Sequence, residues 1–193
     1  MCDSKLYRYR GTISALFGLL LIFSPGEFQW HPLGLLLIIA ALGIRVWTRQ
    51  YIGEHTRGTQ LEGSVLYIWG PYSRMRHPLY LANLLFGWGL ILLSGGVWYW
   101  QLPLAILWLF FNKTLGDRED LYLLSIHTIE WWIWAFETPF WGWGEKQGRH
   151  KSEHLYREKK RSISAAFWAD RWSWFWQLLL LLLLASPMRG ACW

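Results

Sequence analysis

Apolar runs alternate with charged segments along the chain, and this alternation predicts a helical membrane protein. Four runs, at residues 12–24, 33–47, 78–94 and 102–111, are predicted to be membrane helices. The first is short against the roughly 20 residues that cross a bilayer. A further run at residues 167–185 predicts an added helix near the C-terminus, with tryptophans at the lipid headgroups and leucines in the hydrocarbon.

Two stretches do not fit the pattern of spanning helices. Residues 121–136 mix apolar residues with His127, Glu130 and three tryptophans, so they are predicted to form an interfacial or partly embedded helix. Residues 48–75 are too polar to cross a membrane. Within them, alternating apolar positions at residues 64–69 indicate a short strand or a hairpin over the membrane face.

Basic residues are unevenly distributed among the loops, and this asymmetry predicts the orientation of the chain. They crowd the N-terminus, residues 48–76 and residues 142–162, whereas residues 25–32 and 95–101 contain no Lys or Arg. Because cytoplasmic loops carry the excess of Lys and Arg, the N-terminus and the loop before residue 78 are predicted to be cytoplasmic.

Arg45 and Arg49, at the end of the second run, are expected to extend to the headgroups rather than to contact a ligand.

Composition narrows the class of partner. The chain has 193 residues, of which 53% are hydrophobic and 17% charged, and its net charge is +6. Because the cations lie between apolar runs, anionic lipid headgroups of a bilayer are the expected partners and nucleic acid is not. Cys2 and Cys192 have no partner at disulfide or metal-site spacing. His150 and His154 do not match the zinc-protease pattern, so no metal is expected.

A cluster of polar side chains stands directly before the run at residues 78–94. Arg74, Arg76 and His77 precede Pro78 and an apolar sequence long enough to continue into a bilayer. Polar groups in such a place are costly unless they face a partner, a cavity or water. Pro78 suits the first turn of a helix, whose N–H groups would face a polar or anionic ligand. The alternative is that the arginines only orient the helix and His77 caps it.

The same cluster belongs to a longer motif. The motif consists of Gly70, Pro71, Tyr72, Arg76, His77, Pro78 and Tyr80. It resembles the signature of the isoprenylcysteine carboxyl methyltransferase and phospholipid methyltransferase superfamily of integral membrane enzymes. The resemblance covers roughly residues 33–143, and further residues carry it: Tyr51, Glu54, His55, Arg57, Leu61, Glu62, Asn83, Glu119, Asp120, Trp134, Thr138, Pro139 and Trp141.

The resemblance implies a methyltransferase that uses S-adenosylmethionine. The implied fold is all-α, a polytopic membrane bundle of about five transmembrane helices with a cytoplasmic cofactor pocket. The implied acceptor is a membrane lipid or an isoprenoid-like molecule that is methylated on oxygen, nitrogen or sulfur. The membrane core is expected at residues 1–143, a basic cytoplasmic connector at residues 144–162 and an additional helix at residues 163–193.

The resemblance also implies the site residues. Arg76 and Glu119 are expected to be catalytic. The cofactor is expected to contact His55, Arg57, Gly70, Tyr72, Arg76, His77, Pro78, Tyr80, Leu81, Asn83, Glu119 and Asp120. The residues alone leave alternatives open, because residues 48–75 can be a solvated loop. Likewise, Glu119 and Asp120 can be acids favoured at the N-terminus of a helix.

Two other classes of protein remain open. Membrane sterol and steroid reductases resemble this region and bind NADPH in a comparable pocket, but they generally carry an acidic residue where this chain has Asn83. A non-catalytic membrane adaptor could keep the same scaffold. Such an adaptor would not need Arg76, His77, Tyr80 and Glu119 together.

Overall fold

Helices make up most of the computed structural model, which describes residues 5–52, 65–142, 144 and 160–186. The helices are α1 (Lys5–Arg8), α2 (Arg10–Ile22), α3 (Pro32–Ile52), α4 (Pro78–Leu93), α5 (Trp98–Glu137), α6 (Ile163–Ala169) and α7 (Arg171–Leu184). A short 3-10 helix, Gly70–Ser73, precedes α4. These described ranges contain no β-strand, so the expected all-α class is confirmed.

Prolines mark the first residues of α3 and α4. Pro32 and Pro78 each occupy the first position of their helix, where a fixed φ and a missing N–H are favourable. The carbonyl of His77, just before α4, accepts a hydrogen bond from the Leu81 N–H at 3.0 Å. The predicted helix at residues 78–94 is therefore confirmed, whereas α3 continues past its predicted end at residue 47.

α4 and α5 form an antiparallel hairpin. Near the end of α4 the Ile91 carbonyl accepts a hydrogen bond from Gln101, which lies near the start of α5. Near the start of α4 the Asn83 carbonyl accepts one from Trp108, which lies further along α5. The partners thus run in opposite order along the two helices. Gly87 and Gly89 give α4 a thin face that lets neighbouring groups approach. The Trp108 indole packs on Gly87, and α3 approaches Gly89 closely, since a Cβ built there would lie 2.7 Å from Ile38.

α5 is one long helix where the sequence predicted separate segments at residues 102–111 and 121–136. It is continuous from Trp98 to Glu137 apart from a kink at Thr128, whose φ is 39°. Gly116 does not end the helix. Its missing side chain instead lets Phe140 and the His77 ring approach α5, and a Cβ at this position would overlap Phe140. Glu119 and Asp120 therefore lie inside a helix, and the alternative of an acidic helix N-terminus is wrong.

The predicted strand at residues 64–69 is wrong for residues 65–69, which form neither strand nor helix. The alternation of their apolar residues has another cause. Leu66 and Ile68 are buried together with Trp131 and Trp134 of α5, so one side of an isolated extended segment packs on a helix. Because no strand in the described residues pairs with this segment, the alternation reflects burial on one side rather than membership in a sheet.

The helical core lies between α2, α3, α4 and α5. Buried side chains of this cluster include Phe17, Ile38, Leu90 and Trp108, and the rings of Phe17 and Trp108 stack with centroids 4.2 Å apart. At one end of the bundle the two loops without Lys or Arg meet through a bridge between Gly26 and Gly96. The cluster of polar residues before α4 lies at the other end.

By length and composition, α3 is the one helix within the described residues that could cross a membrane. α2, α4 and α7 are apolar but shorter, with 13, 16 and 14 residues. The predicted count of transmembrane helices and the predicted division of the chain at residues 143 and 162 therefore stay predictions.

Candidate active site

The segment that enters α4, residues 70–77, is held by the chain that follows α5. The backbone N–H of Arg76 donates to the carbonyl of Pro139 at 2.9 Å, and that of His77 donates to Phe140 at 3.3 Å. We call residues 70–77 the corner. Its backbone hydrogen bonds to a second segment fix where the side chains of Arg76 and His77 emerge.

Gly70 begins the corner in a conformation that requires glycine. Its φ is +62°, and a Cβ at this position would lie 2.6 Å from the Tyr51 ring. A positive φ is accessible to glycine at little cost, and the close ring excludes a side chain. The first glycine of the motif thus has a structural role in turning the chain against α3.

Asp120 of α5 lies between two of the basic residues of the corner, Arg76 and His77. Its Oδ2 is 3.0 Å from Arg76 Nη1 and its Oδ1 is 2.9 Å from His77 Nε2. The His77 contact is close but poorly directed. His77 Nε2, Asp120 Oδ1 and Arg76 Nε are buried and make no hydrogen bond to any described residue. Because buried polar atoms are normally paired, the charged groups around the corner are less completely paired than is usual.

Glu119, the neighbour of Asp120, contacts a different group. Its carboxylate lies near the Tyr80 hydroxyl, and the Tyr80 ring centroid lies 5.6 Å from that of His77. Burial, and next the negative charge of Glu119, raise the pKa of Tyr72 well above its ordinary value of 10.0. The Tyr72 phenol is therefore neutral at physiological pH and can donate a hydrogen bond.

These side chains border a cavity of about 870 Å³. Six of the predicted site residues line it: Tyr72, Arg76, His77, Tyr80, Asn83 and Glu119. Beyond them the cavity continues between apolar side chains of α2, α4, α5 and α7, among them Phe17, Leu90, Trp108 and Leu180. A volume in this range is typical of sites for small molecules and cofactors, and one polar end joined to an apolar section suits an amphiphilic ligand.

The remaining predicted residues do not line the cavity. Gly70 packs on Tyr51, Pro78 begins α4, Leu81 packs against the core and Asp120 holds Arg76 and His77 from behind. His55 and Arg57 lie outside the described residues. The roles predicted for all of these residues, including catalysis by Arg76 and Glu119, stay predictions.

Arg45 and Arg49 were missed as residues of the cavity, and the expectation that they extend to the headgroups is wrong. Both are buried, at 9% and 4% exposure, and both pair with Asp170 between α6 and α7. Arg45 Nε contacts Asp170 Oδ2, and Arg49 Nη2 lies 3.0 Å from Oδ1. A carboxylate inside an apolar C-terminal run was the signal available in the sequence, since such a charge needs a partner of opposite sign.

Arg45 also links this charge cluster to the motif. Its Nη1 donates to Asn83 Oδ1 at 2.7 Å, and both residues line the cavity. Arg45 of α3 therefore orients the amide of Asn83. The amide oxygen accepts a hydrogen bond from this guanidinium at the position where the reductases carry an acidic residue.

A family model now decides the class of protein. The model of the phospholipid methyltransferases matches residues 30–130. The chain belongs to this family. The match covers just over half of the chain and contains the whole motif, from Gly70 to Tyr80, together with Glu119 and Asp120. No curated protein and no solved structure matched the chain.

Membership in the phospholipid methyltransferase family identifies the protein in general terms as a membrane methyltransferase. α6 and α7 lie beyond the matched residues although α7 borders the same cavity. Among the residues the structure describes, no three or more His, Cys, Asp or Glu side chains are grouped so that they could hold a metal ion.

Proposed function

We propose that the protein transfers a methyl group from S-adenosylmethionine to a lipid or another small acceptor held in the membrane. The observation that carries the proposal is the single cavity that joins the polar corner to the apolar section between the helices. A polar cofactor and an apolar acceptor can meet there without either leaving its preferred surroundings.

The side chains at the polar end fit the functional groups of this cofactor. Arg76 presents a guanidinium suited to a carboxylate, and Glu119 can accept hydrogen bonds from ribose hydroxyls or an ammonium group. The rings of Tyr80 and His77 offer flat surfaces for a purine. When bound, the cofactor supplies an electrophilic methyl group on a sulfonium. For such a displacement a protein contributes mainly alignment and the exclusion of water.

The chain's own residues would provide both contributions. Asp120 contacts Arg76 and His77 and so fixes two side chains that border the cofactor end of the cavity. The apolar section excludes water from the acceptor. Glu119 is the acidic residue among the described lining residues, and an amine acceptor that must lose a proton could transfer it to this carboxylate or to water.

Binding measurements on the purified full-length protein test the proposal. Isothermal titration should detect binding of S-adenosylhomocysteine and no binding of NADPH. Binding of NADPH alone would favour the reductase class. If the protein remains folded in detergent and binds neither compound, the proposed use of S-adenosylmethionine is wrong.

We also propose that the chain is multi-pass and that the N-terminus and the corner face the cytoplasm. The supporting observation is that the loops without basic residues meet at one end of the bundle, whereas Arg76 and Arg161 lie at the other end. In a variant with Cys2 and Cys192 replaced by Ser, a cysteine at the exposed Trp98 should be labelled by an impermeant reagent on intact cells. A cysteine at the exposed Ser164 should not, and the reverse pattern would contradict the orientation.

A further inference from the structure

The N-terminal helices border the polar end of the cavity although they lie outside the residues that match the family. The match begins at residue 30, whereas α2 ends at Ile22. Tyr7 of α1 and Arg10 of α2 nevertheless line the cavity. Their basic neighbours Lys5 and Arg8 are exposed and are not among its lining residues. Of these three basic residues, Arg10 is therefore the one placed at the candidate site.

Packing holds the N-terminal segment on both sides of Arg10. Before it, Tyr7 is 7% exposed and packs with Tyr80 of α4 and Leu115 of α5. After it, Phe17 stacks on Trp108 in the apolar section of the cavity. α2 therefore runs along the cavity from its polar end to its apolar section, and its first residue is held at the polar end.

The Arg10 guanidinium is positioned by a ring and lies beside groups of the motif. Its Cζ is 3.9 Å from the centroid of the Tyr7 ring, and a guanidinium is attracted to an aromatic face within about 6 Å. Arg10 also lies near the Tyr80 hydroxyl, as does the Glu119 carboxylate. Because Arg10 is partly buried, it attracts an anion more strongly than a fully solvated cation would.

The polar end of the cavity thus has two guanidinium groups from different parts of the chain. Arg76 comes from the corner, and its Nη1 is also held by Asp120. Arg10 comes from the N-terminal segment. A guanidinium matches the planar geometry of a carboxylate, and the two oxygens of a carboxylate accept from more than one donor. S-adenosylmethionine carries one carboxylate, on its methionine portion.

We infer that Arg10 is a further cofactor-binding residue, which binds the carboxylate of S-adenosylmethionine at the polar end of the cavity. The inference rests on the proposed function, because it assigns this cofactor to that end. A lipid phosphate is the other anion that a guanidinium suits. The position of Arg10 beside Tyr80 and Glu119, rather than among the apolar lining residues, favours the cofactor.

The matched probes are S-adenosylhomocysteine and its decarboxylated form, which differ only in the carboxylate. Isothermal titration of both into the full-length protein in detergent would compare the parent with Arg10→Gln. The variant should bind S-adenosylhomocysteine about tenfold more weakly, the lower end expected for a hydrogen bond to a charged group. Its affinity for the decarboxylated compound should not change. Arg10→Lys keeps the charge and should recover part of the lost affinity.

Arg8→Gln is the matched control, because it removes the same group at an exposed position two residues away. It should bind both compounds like the parent. Unchanged affinity of Arg10→Gln for S-adenosylhomocysteine would overturn the inference. An equal loss for both compounds would also overturn it, since Arg10 would then support the pocket rather than recognise the carboxylate.

Two further outcomes separate the inference from its alternatives. If the parent binds S-adenosylhomocysteine and Arg10→Gln binds it equally well, the inference fails and the proposed function stands. If the parent does not bind it, both fail. Weaker binding of phosphatidylglycerol by Arg10→Gln in native mass spectrometry, with unchanged affinity for S-adenosylhomocysteine, would assign Arg10 to a lipid phosphate and overturn the inference.

Discussion

Two clusters of buried charges border the cavity, and they differ in how completely the carboxylate at the centre of each is paired. Around Asp170, one oxygen contacts Arg45 and the other contacts Arg49 and the Ser173 hydroxyl. Around Asp120, Oδ2 lies 3.0 Å from Arg76 Nη1, but Oδ1, which lies 2.9 Å from His77 Nε2, makes no hydrogen bond to any described residue.

The difference indicates different uses of buried charge. A buried carboxylate whose two oxygens are both hydrogen-bonded holds two segments in one arrangement, whereas a partly paired one is costly unless something else completes it. We therefore interpret the Asp170 cluster as the joint between α3 and the C-terminal helices. The Asp120 cluster, which lies wholly inside the family match, is interpreted as the part of the site prepared for a ligand.

Removing the carboxylate of the Asp170 cluster should have the largest effect on stability. Asp170→Ala leaves Arg45 and Arg49 buried without their counter-charge, and breaking a buried pair in this way typically costs about 3–5 kcal/mol. Denaturant unfolding in detergent should show a loss of this order. The loss would confirm that this cluster stabilises the fold.

Asp117→Ala provides the comparison for that variant. Asp117 pairs with Lys113 one turn away on α5, and its side chain is 49% exposed. An exposed pair of this kind contributes about 0.5 kcal/mol or less. Equal stability of Asp170→Ala, Asp117→Ala and the parent would contradict the distinction between a paired buried carboxylate and a surface ion pair.

The sequence predicted those parts of the molecule that depend on local signals. Pro78 and the apolar run after it gave the start and length of α4, and the motif located the corner. Asp120 could be placed near Arg76 only through the resemblance, because their contact requires α5 to return along α4. This return is a property of tertiary packing rather than of either segment.

Other features could not be predicted, since one residue type serves several purposes. Gly116 is compatible with a turn, yet it lies inside α5 to admit Phe140 and His77. The alternation at residues 65–69 is compatible with a strand, yet it records packing on a helix. Arg45 and Arg49 have the spacing and position of headgroup contacts. Their ion pairs with Asp170, which lies far along the chain between α6 and α7, show that they are buried instead.

The central claim is that His77 and Glu119 contact one cofactor. The two residues are separated along the chain but approach each other around Tyr80, whose hydroxyl lies near the Glu119 carboxylate and whose ring lies near His77. Removing either side chain should weaken the same binding event. If the two act as a unit, the double variant should lose less than the sum of the single losses.

The measurement is isothermal titration of S-adenosylhomocysteine into the parent, His77→Ala, Glu119→Gln and the double variant. Each single change should cost about tenfold to a hundredfold in affinity, the size of one charge-assisted hydrogen bond. Glu130→Gln, the same chemical change at a half-exposed position of α5, should bind like the parent. If His77→Ala and Glu119→Gln also bind like the parent while remaining folded, the proposed cofactor site is wrong.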